Sequence, residues 1–174
     1  VNVSALQFQQ SDFVWRVASA LEREALDPHA LELELTESIL VQGVDEALER
    51  LRALAALGVG LSIDDFGVGY SSLAYLKKFP IHKLKIDRSF IMGLPDNESD
   101  LAIVSAILSL GRALGLLVIA EGVETAAQRD LLRQLGCDQY QGFLYSKGVP
   151  AAAFEEMLRS DRALLGPAVS RAAP

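Results

Sequence analysis

The sequence predicts an α/β fold of the (β/α)8 TIM-barrel type, with about six of the eight βα units present in this chain. Three observations predict it. Apolar strand-like runs alternate with amphipathic helical stretches six times in succession, which implies parallel strands joined by crossover helices. Polar groups stand at or just past the C-terminal ends of those runs (Glu34, Asp64 with Asp65, Lys85 with Asp87, Glu121 and Gln141), and that rim is where such a barrel places its chemistry. No glycine-rich dinucleotide fingerprint follows any strand, which argues against a doubly wound open sheet. A full barrel takes about 250 residues. The 174 residues present, and an opening at Val1 that already reads as strand, suggest a fragment lacking about two N-terminal units.

Val1 to Val3 is the first strand, with Asn2 inside it. A helix is expected from Ser11, its N-cap, to Ala25, with Phe13, Val14, Val17, Ala20 and Leu21 as the apolar stripe. Asp27-Pro28 stops it. Leu31 to Leu35 alternates strictly, so it is a strand with leucines on one face and Glu32 and Glu34 on the other. Thr36-Glu37-Ser38 closes it. Asp45 to Leu57 is a helix with Leu48, Leu51, Leu54 and Leu57 inward, ended by Gly58.

The apolar run from Val59 then ends on two adjacent carboxylates, Asp64 and Asp65, followed by Phe66-Gly67-Val68-Gly69-Tyr70-Ser71-Ser72. A short helix near Ser72 to Lys77 follows, and Pro80 ends it. Lys83 to Asp87 alternates as another strand. The turn Pro95 to Ser99 leads into a helix from about Asp100 to Leu114. Leu116 to Glu121 is a strand, Ala126 to Leu135 a helix capped by Gly136, Asp138 to Phe143 the last strand and Ala151 to Arg159 the last helix. The barrel domain is placed at residues 1–160, and 161–174 are expected to be a loose tail.

Composition narrows the function. Hydrophobic residues make up 51% and charged residues 22%, enough to build a core. The net charge of −7 and pI near 4.8 argue against a general grip on a nucleic-acid polymer, which needs basic surface. They leave room for a small phosphate ligand held through divalent cations. The single cysteine, Cys137, rules out an intrachain disulfide and fits a reducing compartment such as the cytoplasm; it reads as a small core residue rather than a nucleophile. No signal peptide is visible. Leu101 to Ala120 has membrane-spanning length, but Arg112, Gly111 and Gly115 interrupt it, so it reads as a buried helix and a strand, and no membrane segment is expected in this chain. His29 and His82 read as surface loop residues, Glu32, Lys77, Lys78 and Glu155 as solvated or ion-paired, and Trp15 and Tyr75 as core or interface.

The paired aspartates need a reason. At about 4 Å and an effective dielectric near 20, two carboxylates repel by roughly 4 kcal/mol. Strand alternation sends Asp64 and Asp65 to opposite sides, and a bend at Gly67 is expected to bring both to one cavity. With Asn2, Glu34, Glu121 and Gln141 they form a rim of hard oxygen donors, with Lys85 among them and no thiolate or well-placed histidine, a set that suits Mg2+ or Mn2+. Vicinal aspartates can share two ions about 3.5–4 Å apart, activating water and clamping a phosphodiester. Lys85 could orient that water or neutralise an oxyanion. Asp87 is either a site residue or a partner of Lys85.

At this point the chain resembles a family. Val1 to Phe8 (VNVSALQF), Glu34 to Ser38 (ELTES), Ile63 to Ser72, Leu84 to Asp87 (LKID), Ala120 to Glu124 (AEGVE) and Gln141 to Phe143 look like the successive motifs of EAL domains. These are bacterial cyclic-di-GMP phosphodiesterases on a (β/α)8-type barrel. The resemblance runs to about Leu158. It implies a first metal held by Asn2, Glu34 and Asp64, and a second served by Asp64, Asp65 and Glu121. It implies that Lys85 binds the attacking water, that Gln141 lies in the site wall, and that Glu37 holds the loop carrying Gly67 and Gly69, which in the family couples the site to dimer contacts. The reaction implied is hydrolysis of cyclic-di-GMP to linear pGpG, with Mg2+ or Mn2+, in a homodimer, and with room for upstream GGDEF or sensory domains. Two departures stand out. The Glu-Ala-Leu motif that names the family would lie upstream of Val1; Glu24-Ala25-Leu26 spells it at a helix end and is read as coincidence. Val68 stands where the family commonly has threonine. The alternatives are a receptor that binds cyclic-di-GMP without cleaving it, an inactive fragment that assembles with its missing part or a second copy, and an unrelated metal-dependent barrel enzyme such as an aldolase.

Overall fold

The structure is a computed structural model describing residues 1–41, 43–69 and 73–161. The chain separates into two units, Val1–Leu144 and Tyr145–Pro174. In the first, six strands lie side by side in chain order, and every neighbouring pair is parallel. They are β1 (Asn2–Val3), β2 (Glu32–Thr36), β3 (Gly60–Phe66), β4 (Lys83–Ile86), β5 (Leu117–Glu121) and β6 (Gln139–Gln141). Parallel neighbours need crossover connections, and helices supply them. The strand order never reverses, so there is no switch point of the doubly wound kind. This is the architecture of a partial (β/α)8 barrel.

The helices of the first unit are α1 (Ala5–Phe8), α2 (Phe13–Arg23), α3 (Glu37–Val41), α4 (Val44–Ala56), α5 (Leu73–Leu76), α6 (Arg88–Met92), α7 (Glu98–Leu114) and α8 (Ala126–Gln134). α4 buries Ala47, Leu51 and Leu54 at helical spacing, and both leucines are fully enclosed. Truncating either to alanine would cost about 2–5 kcal/mol. α7 packs so closely on β5 that a Cβ at Gly111 would meet Val118 Cγ2 at 2.2 Å. Its end resolves the apolar run of membrane-spanning length: the helix stops at Leu114, Gly115 turns left-handed, and β5 begins at Leu117. Among the described residues no helix is long and apolar enough to cross a membrane.

The two faces of the sheet differ. Leu33, Leu35, Leu84, Ile86, Val118 and Ala120 are buried in the hydrophobic core. Glu32, Glu34, Lys83, Lys85 and Glu121 alternate with them, so they share the opposite face. Successive residues of a strand thus feed the core and the concave interior in turn.

Several details correct the sequence-based expectation. α2 starts at Phe13 rather than near Ser11; Asp12 is its N-cap, with no side-chain capping bond, and the helix ends at Arg23. Three short helices were not expected: α1, α3 and α6, of four to five residues each. One or two turns carry too few apolar positions to show a period. α1 nonetheless has a complete capping box between Ser4 and Gln7. Trp15 is 68% exposed, so it is no core residue. β6 is confined to three residues. Gln42, Tyr70, Ser71, Ser72 and the expected tail beyond Asp161 lie outside the described residues. In the second unit, α9 (Ala151–Asp161) carries an Arg159–Glu155 ion pair at 3.2 Å.

Candidate active site

The site grows from strand ends. Lys85 on β4 is only 4% exposed, and its ammonium reaches three carboxylates: Glu34 Oε2 on β2 at 2.9 Å, Asp64 Oδ1 on β3 at 2.9 Å and Glu121 Oε1 on β5 at 2.7 Å. β2 and β4 are not neighbours, so Lys85 spans β3 to meet Glu34. Burial works against the charge of Lys85. The hydrogen bonds to Glu121, Asp64 and Glu34 outweigh it and hold the ammonium well above its ordinary value. Gln141 on β6 donates from Nε2 to Glu121 Oε1 at 2.7 Å, tying the last strand to the cluster. Burial is the main force raising the Glu121 carboxyl; Lys85 opposes it, while Asp64 and Glu34 reinforce it.

The paired aspartates reach the rim by a device at Asp65 itself. Asp65 adopts the left-handed conformation, with φ of +53°. The β3–β4 register shifts between Ile63 and Phe66, as at a β-bulge. Parity is broken there: Ile63 and Phe66 are both buried although three residues apart. The reversal therefore comes two residues before Gly67, where it was expected. Its result is that carboxylate oxygens of Asp64, Asp65 and Glu121 lie within 4.8 Å of one another. A left-handed non-glycine residue costs of order 1–3 kcal/mol.

Asp87 supports Asp65 rather than Lys85. It caps α6, accepting from the Ser89 amide at 2.9 Å and from the Ser89 hydroxyl, and it shares a hydrogen bond with Asp65. Burial, the Asp64 and Asp87 charges and that hydrogen bond raise the Asp65 carboxyl, against the pull of Lys85. Burial also opposes the Asp87 charge, but Ser89, Asp65 and the Arg88 amide hold Asp87 below its ordinary value. Ser89 was missed in the sequence; Asp87-Arg88-Ser89 is an Asx-turn signature that would have found it.

Glu37, at the start of α3 and 4% exposed, accepts from the Gly67 amide at 3.1 Å and the Gly69 amide at 3.4 Å through Oε2. A side chain at either loop position would cost strain or displace Glu37. Gly67 has φ of +102°, and a Cβ at Gly69 would lie 2.9 Å from Glu37 Cδ. Val68 between them is 63% exposed. Asn2 pairs in register with Glu34 on β1, which sets it on the same rim with an exposed side chain. Glu24 is elsewhere: it is the C-cap of α2, paired with Arg23, and no part of this rim.

The donor set suits a hard divalent cation. Glu34, Asp64, Asp65 and Glu121 offer carboxylate oxygen, Asn2 an amide, and the lone thiol takes no part. Cys137 faces the Val118 and Gln139 carbonyls, and burial pushes its thiol up, away from the reactive thiolate.

Comparison with known proteins places this geometry. The profile of the EAL domain matches residues 1–148. The chain is 52% identical to the bifunctional diguanylate cyclase/cyclic di-GMP phosphodiesterase MucR of Pseudomonas aeruginosa, over 92% of this chain and 23% of that protein. It is 47% identical to the cyclic di-GMP phosphodiesterase NbdA of the same organism, over 93% of this chain and 21% of that protein. Among solved structures it matches the PaMucR phosphodiesterase in complex with c-di-GMP at a TM-score of 0.86 and 52% identity, covering 88% of this chain and 62% of that one. It matches Klebsiella pneumoniae BlrP1 in a manganese/cyclic-di-GMP complex at a TM-score of 0.77 and 32% identity, covering 84% and 38% respectively. The chain thus spans under a quarter of the length of these two curated relatives. With the motif order, the parallel sheet and the acidic rim all in agreement, the chain belongs to the EAL domain family.

Proposed function

We propose that this chain supplies about six of the eight βα units of a cyclic-di-GMP phosphodiesterase domain that hydrolyses one 3′–5′ phosphodiester to give linear pGpG with the help of Mg2+ or Mn2+. One observation carries the reading: three carboxylates from three strands converge on a buried lysine, with Asp65 beside them, at the C-terminal rim of the barrel. Family members solved with cyclic-di-GMP and manganese support it.

In this reading Asn2, Glu34 and Asp64 hold one cation and Asp64, Asp65 and Glu121 the other. A bound pair of divalent cations supplies positive charge that acidifies water and neutralises the phosphodiester. Lys85 directs the attacking water or an oxyanion through its ammonium. Asp87 and Gln141 are positioning residues, fixing Asp65 and Glu121 through the hydrogen bonds described. Glu37 holds the Gly67 and Gly69 amides. Water oxygen adds to phosphorus, the bond to the 3′ oxygen breaks, and the proton goes to that oxygen. The phosphate stays on the 5′ side of the linear product. A homodimer, upstream GGDEF or sensory domains and a cytoplasmic setting belong to the same proposal.

The test is incubation of the protein with cyclic-di-GMP and Mg2+ or Mn2+, read by chromatography. The expected product is pGpG. Binding of cyclic-di-GMP with no pGpG under either metal would overturn catalysis and leave a receptor.

A further inference from the structure

Lys85 is fully committed before any cation arrives. An ammonium has three protons, and three carboxylates lie within 2.9 Å of it. None is left for a water or a phosphate oxygen. Among the described residues, no other lysine or arginine forms an ion pair with Glu34, Asp64 or Glu121. Lys83, one pleat away, is paired with Glu32. The carboxylate groups that grip Lys85 are three of those assigned to the cations. One oxygen cannot serve an ammonium and a divalent cation equally well, because two positive charges at that separation repel strongly.

We propose that the Lys85 ammonium is the resident counter-ion of the metal-free site, and that cation loading displaces it from the Glu34–Asp64–Glu121 triangle. The inference rests on the metal-binding reading above. Displacement does two things. It hands three carboxylates to the incoming charge, and it frees ammonium protons for water or substrate oxygen. Lys85 therefore competes with metal before it assists it, and it keeps the metal-free interior from holding unpaired carboxylates, which are costly when buried.

The experiment compares wild type with Lys85→Met and Lys85→Arg by Mn2+ titration, with free Mn2+ read by electron paramagnetic resonance, and by thermal melting with and without Mn2+. Lys85→Met removes the competitor at similar volume. Its Mn2+ dissociation constant should fall by at least ~10-fold, its metal-free form should melt about 5 °C or more below wild type, and saturating Mn2+ should restore the melting temperature. Lys85→Arg keeps the charge and should show no gain in affinity. Lys83→Met, which breaks the neighbouring pair, should bind Mn2+ as wild type does. A Lys85→Met variant that binds no tighter, or stays unfolded at saturating Mn2+, overturns the proposal. Absence of Mn2+ binding by wild type itself fails the metal reading, and the exchange with it.

Discussion

Two lysine–carboxylate layers sit one pleat apart on the same face of the sheet, and they differ in kind. In the layer nearer the strand starts, Lys83 meets Glu32, one charge against one. In the layer at the strand ends, Lys85 meets Glu34, Asp64 and Glu121, one charge against three. The same two strands, β2 and β4, supply Glu32, Lys83, Glu34 and Lys85. What changes is the third and fourth contributor: β3 and β5 add carboxylates only at the rim. The first layer is satisfied and needs nothing further. The second carries more carboxylates than its one ammonium can balance, and it is the layer in which the proposed cations would sit.

The largest break in that comparison is Asp64→Asn against Glu32→Gln. Asp64→Asn removes the carboxylate that the proposed reading shares between both cation positions, and turnover should fall at least ~10²-fold. Glu32→Gln, one layer down, should leave turnover within about twofold, since a partly exposed pair contributes little. Steady-state assays on both variants check the pair; equal losses would erase the distinction between the layers.

A smaller effect is expected at Glu37, which serves the rim without belonging to the charge cluster. Glu37→Gln keeps the shape but weakens the charge-assisted bonds to the Gly67 and Gly69 amides. Turnover should drop ~10-fold, while the Mn2+ dissociation constant stays put. A parallel loss of metal affinity would show that Glu37 acts on the cluster itself.

Proton release sharpens the comparison further. Asp65 and Glu121 are raised above ordinary values of 3.8 and 4.5 in the metal-free protein. Raised carboxyls in the folded state hold protons to higher pH than in the unfolded chain. Their neutral forms favour folding at low pH, and that contribution is lost as pH rises through the raised values. Cation loading in the proposed reading requires both ionised, so it should release protons, and it should weaken as pH falls. Calorimetry in two buffers of different ionisation enthalpy measures the release; identical heats would refute it. The least effect is on stability: Lys83→Met should cost under about 1 kcal/mol by denaturant melts, because its pair is partly exposed.

Much of this architecture is readable in the sequence, and particular residues show where legibility ends. Leu31 to Leu35 and Lys83 to Asp87 alternate, and the strands they predict are present with Leu33, Leu35, Leu84 and Ile86 buried in the core. The long helix ending at Leu114 and the strand after it were separable by Gly111 and Gly115. The short helices α3 and α6 were not, and each starts at a residue of the site's margin, Glu37 or the Asp87 cap. The roles of site residues were less legible than their positions. Asp87 was expected either as a site residue or as a partner of Lys85, and it faces Asp65, because its side chain answers to the cap of α6 as well as to the strand.

By itself, the sequence determined the order of six strands, the side of each strand that carries charge, and the oxygen chemistry waiting at the strand ends. These follow from periods of 2 and 3.6 residues and from residue type, which are local properties. Only the tertiary structure decided that Asp65 turns left-handed to join Asp64, and that Lys85 closes on Glu34 from 51 residues away. Those outcomes depend on how strands curve past one another and on which opposite charges then come within reach. No spacing along the chain encodes a distance across the barrel.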